Sequence, residues 1–169
     1  MEMSSRDVIE HMFAQRVSNP ASWFRNSRAL FAAARASRDR FPSTVDMRDR
    51  ADLDRVTSML YGFGLECLFK AVIVLADFGD PNAEEWTPAA TFPKKLGTHD
   101  LVKLAGMIST DLVTKHELAL GYFTEAAVWM GRYPCSKDGA EGSICIVPRF
   151  FADAEAIYAE YAIQFSISG

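Results

Sequence analysis

The chain has little of what marks secreted, metal-clustered or membrane-spanning proteins. Its three cysteines, Cys67, Cys135 and Cys145, are odd in number and show no C-x-x-C spacing. That excludes a disulfide framework and a four-cysteine zinc site, and it fits a reducing, cytoplasmic setting. The three histidines, His11, His99 and His116, lie far apart in sequence, and His116-Glu117 lacks the second histidine of H-E-x-x-H. The inward-facing glutamates and E-x-x-H pairs of a carboxylate-bridged dimetal bundle are also missing. No metal and no cofactor is therefore expected. G-x-S-x-G and phosphate-cradling glycine loops are absent, and Gly62-Phe63-Gly64 sits inside a helical pattern rather than after a strand. The first 17 residues carry charges throughout and have no apolar stretch of the signal-peptide kind. The longest apolar run, Ala71 to Ala76, falls far short of a bilayer span, so no membrane partner is expected. Seven prolines and ten glycines in 169 residues are too few for a low-complexity chain. A net charge of −4 argues against a protein that coats nucleic acid non-specifically.

What is present is helical periodicity, in a length that suits one domain over residues 1–169. A short helix is expected from about Ser5 to Val17, broken by Asn19-Pro20, with Ser22 as N-cap of the next. In that second helix Trp23, Ser27, Leu30, Ala34, Ser37 and Phe41 recur at alternating spacings of four and three and form the core face. Asp46 is expected to cap a long helix from about Met47 to Phe78, apolar nearly all round from Val56 onward. Gly62 and Gly64 inside it imply close approach by a neighbouring helix or a dimer mate. Residues 80–97 read as a loop. Thr98 is the expected cap of a short helix from His99 to about Ile108. Another helix is expected from Lys115 to about Met130, with Leu118, Tyr122, Ala126 and Trp129 inward. After a loop to Val147, in which Ser143 to Val147 has strand character, Pro148 opens a last helix to about Phe165. The expectation is an all-α, up-and-down bundle of five to six helices.

Three groups of residues have chemical potential. Glu66 and Lys70, at i and i+4, share one face of an otherwise apolar helix, where a charged pair must be paired, hydrated or used. His99-Asp100 stands at a helix start, where it serves either as a local cap or as an anion site. Arg132-Tyr133, at a helix end, either donates to free carbonyls or offers a guanidinium fork for phosphate beside a ring that stacks on a base. The stretch from Arg16 to Arg40 adds six arginines against one acid, Asp39. It reads as a solvated face or as a surface for phosphate or a partner.

Taken in order, Trp23, then Tyr61-x-x-Gly-Leu-Glu-Cys-Leu-x-Lys-Ala, then His99-Asp-Leu-Val-x-Leu, then Arg132-Tyr-Pro before a final helix resemble the HEPN superfamily (higher eukaryotes and prokaryotes nucleotide-binding). The resemblance covers about residues 20 to 165. It implies a helical bundle that usually dimerises and that binds nucleotide, cleaves RNA without metal, or serves as a scaffold. Members stand in toxin–antitoxin and defence modules, often beside a nucleotidyltransferase or antitoxin partner. The RNase members carry an arginine followed four to six residues later by histidine. Arg132 matches that arginine, but no histidine follows it, and the chain there has Lys137 and Asp138, then Gly139. Lysine binds phosphate but shuttles protons poorly near neutral pH. The expectation is a non-catalytic or weakly catalytic nucleotide- or RNA-binding homodimer. Arg132 and Lys137 would meet phosphate, Tyr133 would stack, and Glu66, Lys70 and His99 would line the cleft or orient the arginine. The alternatives are a metal-independent RNase with a non-standard site, and a dimeric adaptor presenting Arg25, Arg28 and Arg35.

Overall fold

A computed structural model describes residues 4–130, 132–133 and 148–165. The expected strand at 143–147 and the loop residues Cys135 and Lys137 lie outside them. Among the described residues the chain is all helical: α1 (Ser5–Ser18), α2 (Pro20–Arg38), α3 (Met47–Phe78), α4 (Leu101–Gly106), α5 (Thr110–Glu125) and α6 (Pro148–Ala162). Short 3₁₀ turns occupy Phe41–Ser43, Lys94–Gly97 and Ile163–Phe165, and α5 runs on into a π-turn, Ala126–Met130.

The helix starts follow side-chain capping. Ser4 and Asp7 form a reciprocal capping box at α1. Asn19, not Ser22, caps α2: its side chain accepts from the Ala21 N–H, with Pro20 in the first position. Pro20 thus opens the second helix as well as interrupting the first, because its missing N–H costs nothing there. Asp46 caps α3 as expected, accepting from the Arg48 and Asp49 amides. Asp100, rather than Thr98, caps α4. Ser109 caps α5, which therefore starts about five residues before the expected Lys115.

The 32-residue α3 is the centre of the fold. It is the one described helix long and apolar enough by composition to cross a bilayer. Here its apolar surface is covered by α2 most extensively, and by α4, α5, the π-turn and α6. Phe31, Tyr61, Leu65, Leu68, Phe69, Leu104, Leu120, Phe123 and Ile157 make up the fully buried core. Gly62 and Gly64 both serve packing within the chain. A Cβ on Gly62 would stand 2.5 Å from the Phe123 carbonyl oxygen and 3.0 Å from Ala127 Cβ. One on Gly64 would stand 2.7 Å from the Phe31 ring. These two positions set how closely α5 with its π-turn, and α2, approach α3. Ser27 closes the second contact by donating to the Gly64 carbonyl at 2.8 Å.

Two face assignments change. Leu118 is 80% exposed, and the inward face of α5 is Leu112, His116, Ala119, Leu120, Phe123 and the expected Tyr122. His116 holds a core position by pairing with Asp153 of α6 at 3.1 Å, and a histidine there hides the true stripe from an apolar pattern. On α2, Phe31 is fully buried one position beyond the expected Leu30.

Candidate functional site

Phe63, Glu66 and Lys70 fall on successive turns of one stripe of α3. The turn before α4 brings His99 to this stripe, and α2 brings Trp23. Glu66 and Lys70 are 7% and 4% exposed. Lys70 Nζ donates to Glu66 Oε1 at 2.7 Å. His99 Nδ1 lies 3.0 Å from both Glu66 oxygens, while the rest of its ring is largely open to solvent. The Lys70 ammonium stands 5.5 Å from the centre of the Trp23 ring, whose indole N–H donates to the Val17 carbonyl at 2.9 Å. The buried charges are therefore paired, hydrogen-bonded and capped by a ring, the conditions under which burial is tolerated. Cys67, beside them on α3, has its thiol pushed up to about 11 by burial and by the Glu66 charge, against the opposing pull of Lys70.

One turn earlier the π-turn delivers Arg132 to the same stripe. Because Gly62 has no side chain, the π-turn lies against α3. The chain leaving it sets the Arg132 guanidinium 5.5 Å from the Phe63 ring centre and 5.8 Å from the Tyr133 ring. Arg132 also donates to the Val128 carbonyl at 2.8 Å, as an arginine at a helix end does. Tyr133 is 52% exposed. Of the six residues singled out in the sequence, Glu66, Lys70 and His99 form one hydrogen-bonded cluster, and Arg132, with Tyr133 beside it, stands against Phe63 one turn earlier on α3. Lys137 lies outside the described residues. Among those residues Glu66 is engaged by Lys70 and His99 and makes no ion pair with Arg132, so it does not orient the arginine directly.

Beside Trp23 a groove of about 470 Å³ is lined by Phe13, Arg16, Trp23, Arg25 and Phe92. Two arginines of the Arg16–Arg40 cluster thus line a concavity with three aromatic rings. Arg35 has another role: it grips Glu155 of α6 through two nitrogens, at 3.0 and 2.7 Å.

Sequence reasoning missed a second polar site. Asp54 lies on the buried face of α3, 5% exposed, and one of its oxygens, Oδ2, is buried with no hydrogen-bond partner. It lines a cleft of about 430 Å³ with Arg38, Phe41, Met47, Arg50 and Phe151. The signal was available, since Asp54 continues the stripe of Ser58, Tyr61, Leu65 and Leu68.

His99 and His116 go to different carboxylates, Glu66 and Asp153. Among the described residues no three His, Cys, Asp or Glu side chains gather in a way that would hold a metal ion. No protein-family model matches this chain, and neither the curated proteins nor the solved structures give a match.

Proposed function

We propose that the chain is a HEPN-like binding module for a nucleotide or an RNA segment, working as a homodimer. The observation that carries this reading is the convergence on one α3 stripe of the Arg132 guanidinium, framed by two rings, and the Glu66–Lys70–His99 cluster. Phosphate would be met by Arg132 and a base by Tyr133. From Phe63 to Lys70 the stripe runs seven residues, about 10 Å at the helical rise, and Lys70 touches the ring of Trp23, which lines the groove of Arg16 and Arg25. Basic side chains interleaved with aromatic rings are what an unpaired strand requires. The buried Glu66–Lys70 pair holds His99 at the surface.

The test is a thermal-shift panel of nucleotides and short RNAs, with Arg132→Ala beside the wild type. A ligand present at about a hundred times its Kd should stabilise the native state by about 2.7 kcal/mol, and the variant should lose most of that shift. The affinity should also fall with added salt, because phosphate contacts release counterions. If no nucleotide or RNA moves the melting temperature, the reading fails. If RNA is cleaved and Arg132→Ala abolishes the cleavage, the RNase alternative replaces it.

A further inference from the structure

The cleft at Asp54 lies twelve residues along α3 from Glu66, about 18 Å away at the helical rise, and has no part in the reading above. Its walls come from the end of α2 (Arg38), the 3₁₀ turn (Phe41), the first turns of α3 (Met47 and Arg50) and α6 (Phe151). Asp54 forms its floor. Arg50 sits one turn before Asp54, where i,i+4 partners usually meet. Its charge is felt by the carboxyl, yet among the described residues neither Arg50 nor Arg38 forms an ion pair with Asp54, whose Oδ2 has no donor. The Arg38 guanidinium stacks 5.6 Å from the Phe151 ring centre instead. Arg38, Arg50 and one buried carboxyl therefore line one apolar-walled space without a salt bridge to that carboxyl. The Arg38 charge also acts on Tyr61 and Glu155. The volume of about 430 Å³ lies within the range of small-molecule sites.

The geometry points to a site for an α-amino-acid zwitterion with an aromatic side chain. Its carboxylate would be taken by Arg38 and Arg50, its ammonium by Asp54, and its ring by Phe41, Met47 and Phe151. A purely anionic ligand would leave the Asp54 oxygen without a donor and add repulsion to it. A purely cationic one would meet two guanidiniums. Only a molecule carrying both charged groups on one carbon satisfies the carboxyl and the guanidiniums together.

The experiment uses the full chain and calorimetric titration with three probes: L-tryptophan, indole-3-propionate (no ammonium) and tryptamine (no carboxylate). L-tryptophan should bind, and each of the others should bind roughly tenfold more weakly, the loss expected of one charge-assisted contact. Arg50→Ala, on the exposed first turns of α3, should weaken L-tryptophan and indole-3-propionate but not tryptamine. Asp54→Asn, which keeps the shape, should weaken L-tryptophan and tryptamine but not indole-3-propionate. The proposal is overturned if L-tryptophan gives no heat of binding at millimolar concentration, if the three probes bind alike, or if neither variant changes their order.

Discussion

Single side chains decide more here than their neighbours on the helix suggest, and Lys70 is the sharpest case. Its ammonium is buried, held by Glu66 at 2.7 Å and covered by the Trp23 ring. Removing one partner of such a pair leaves an uncompensated charge, which costs on the order of 3–5 kcal/mol. Lys70→Ala should therefore destabilise strongly in urea unfolding, while the double replacement Glu66→Leu with Lys70→Met should recover most of the loss. Full recovery would mark the pair as replaceable for folding and retained to hold His99. Cys67 gives a second check at this scale. With its thiol pushed up to about 11 by burial and Glu66, alkylation by iodoacetamide at neutral pH should be far slower than for an exposed cysteine, and Glu66→Gln should speed it. The sequence announced Glu66 and Lys70 because two charges stood in an apolar run. It did not announce Asp153 or Glu155, which acquire their meaning only from the helix each one faces, and Asp54 was announced only by its place on the stripe of Ser58, Tyr61, Leu65 and Leu68.

At the scale of elements the helices were legible and their junctions less so. The span of α3 follows from Asp46 at one end and Gly79, in a positive-φ conformation, at the other. Local signals of that kind survive folding. The start of α5 did not follow, and of its expected inward residues Tyr122 and Ala126 are buried while Leu118 is not, because His116 interrupts the apolar stripe and is buried only through a partner on another helix. The two glycines of α3 were read correctly as close-approach points, but the sequence left open whether the neighbour belonged to the same chain. Coordinates assign both to α5 and α2. Gly62→Ala would drive a methyl to 2.5 Å from a backbone oxygen, which cannot yield as a side chain does. We expect a loss of at least about 1–3 kcal/mol, as for other overpacked positions. Gly64→Ala would meet the Phe31 ring at 2.7 Å and should cost a similar amount. Gly62→Ala carries a further consequence, because the π-turn that rests there positions Arg132. Its nucleotide response in the thermal-shift panel should weaken along with its stability. Gly64→Ala should leave that response close to wild type once corrected for folding.

For the molecule as a whole, two carboxylates give stability opposite slopes with pH. Glu155 of α6 joins three helices: Arg35 of α2 grips it, and Tyr61 of α3 donates to it at 2.7 Å. Burial alone would raise its pKa, but the Arg35 and Tyr61 hydrogen bonds outweigh that and hold it below its ordinary 4.5. Its contribution is therefore complete above about that value and is lost as pH falls through the folded pKa, where the unfolded chain binds more protons than the native one. Asp54 runs the other way. Burial raises it above its ordinary 3.8, with only the Arg50 charge opposing, and Arg38 and Tyr122 are the other titratable groups nearby. The native state then holds the proton longer, so stability declines as pH rises through the range just above that value. Glu155→Gln should lose about 1 kcal/mol at neutral pH, the net worth of its hydrogen bonds after solvent screening of the half-exposed Arg35, and nothing near pH 3. Asp54→Asn should gain about 1 kcal/mol at neutral pH, because the amide is buried at less cost than the charged carboxylate, and nothing near pH 3. The two sites are on different helices but share Arg38, which lines the Asp54 cleft and whose charge also acts on Glu155, so the double variant should depart from the sum of the singles by the part that Arg38 carries. Urea unfolding of both single variants and the double variant across this pH range would check all three statements. A double variant whose profile still fell at both ends would show that other groups govern the acid response.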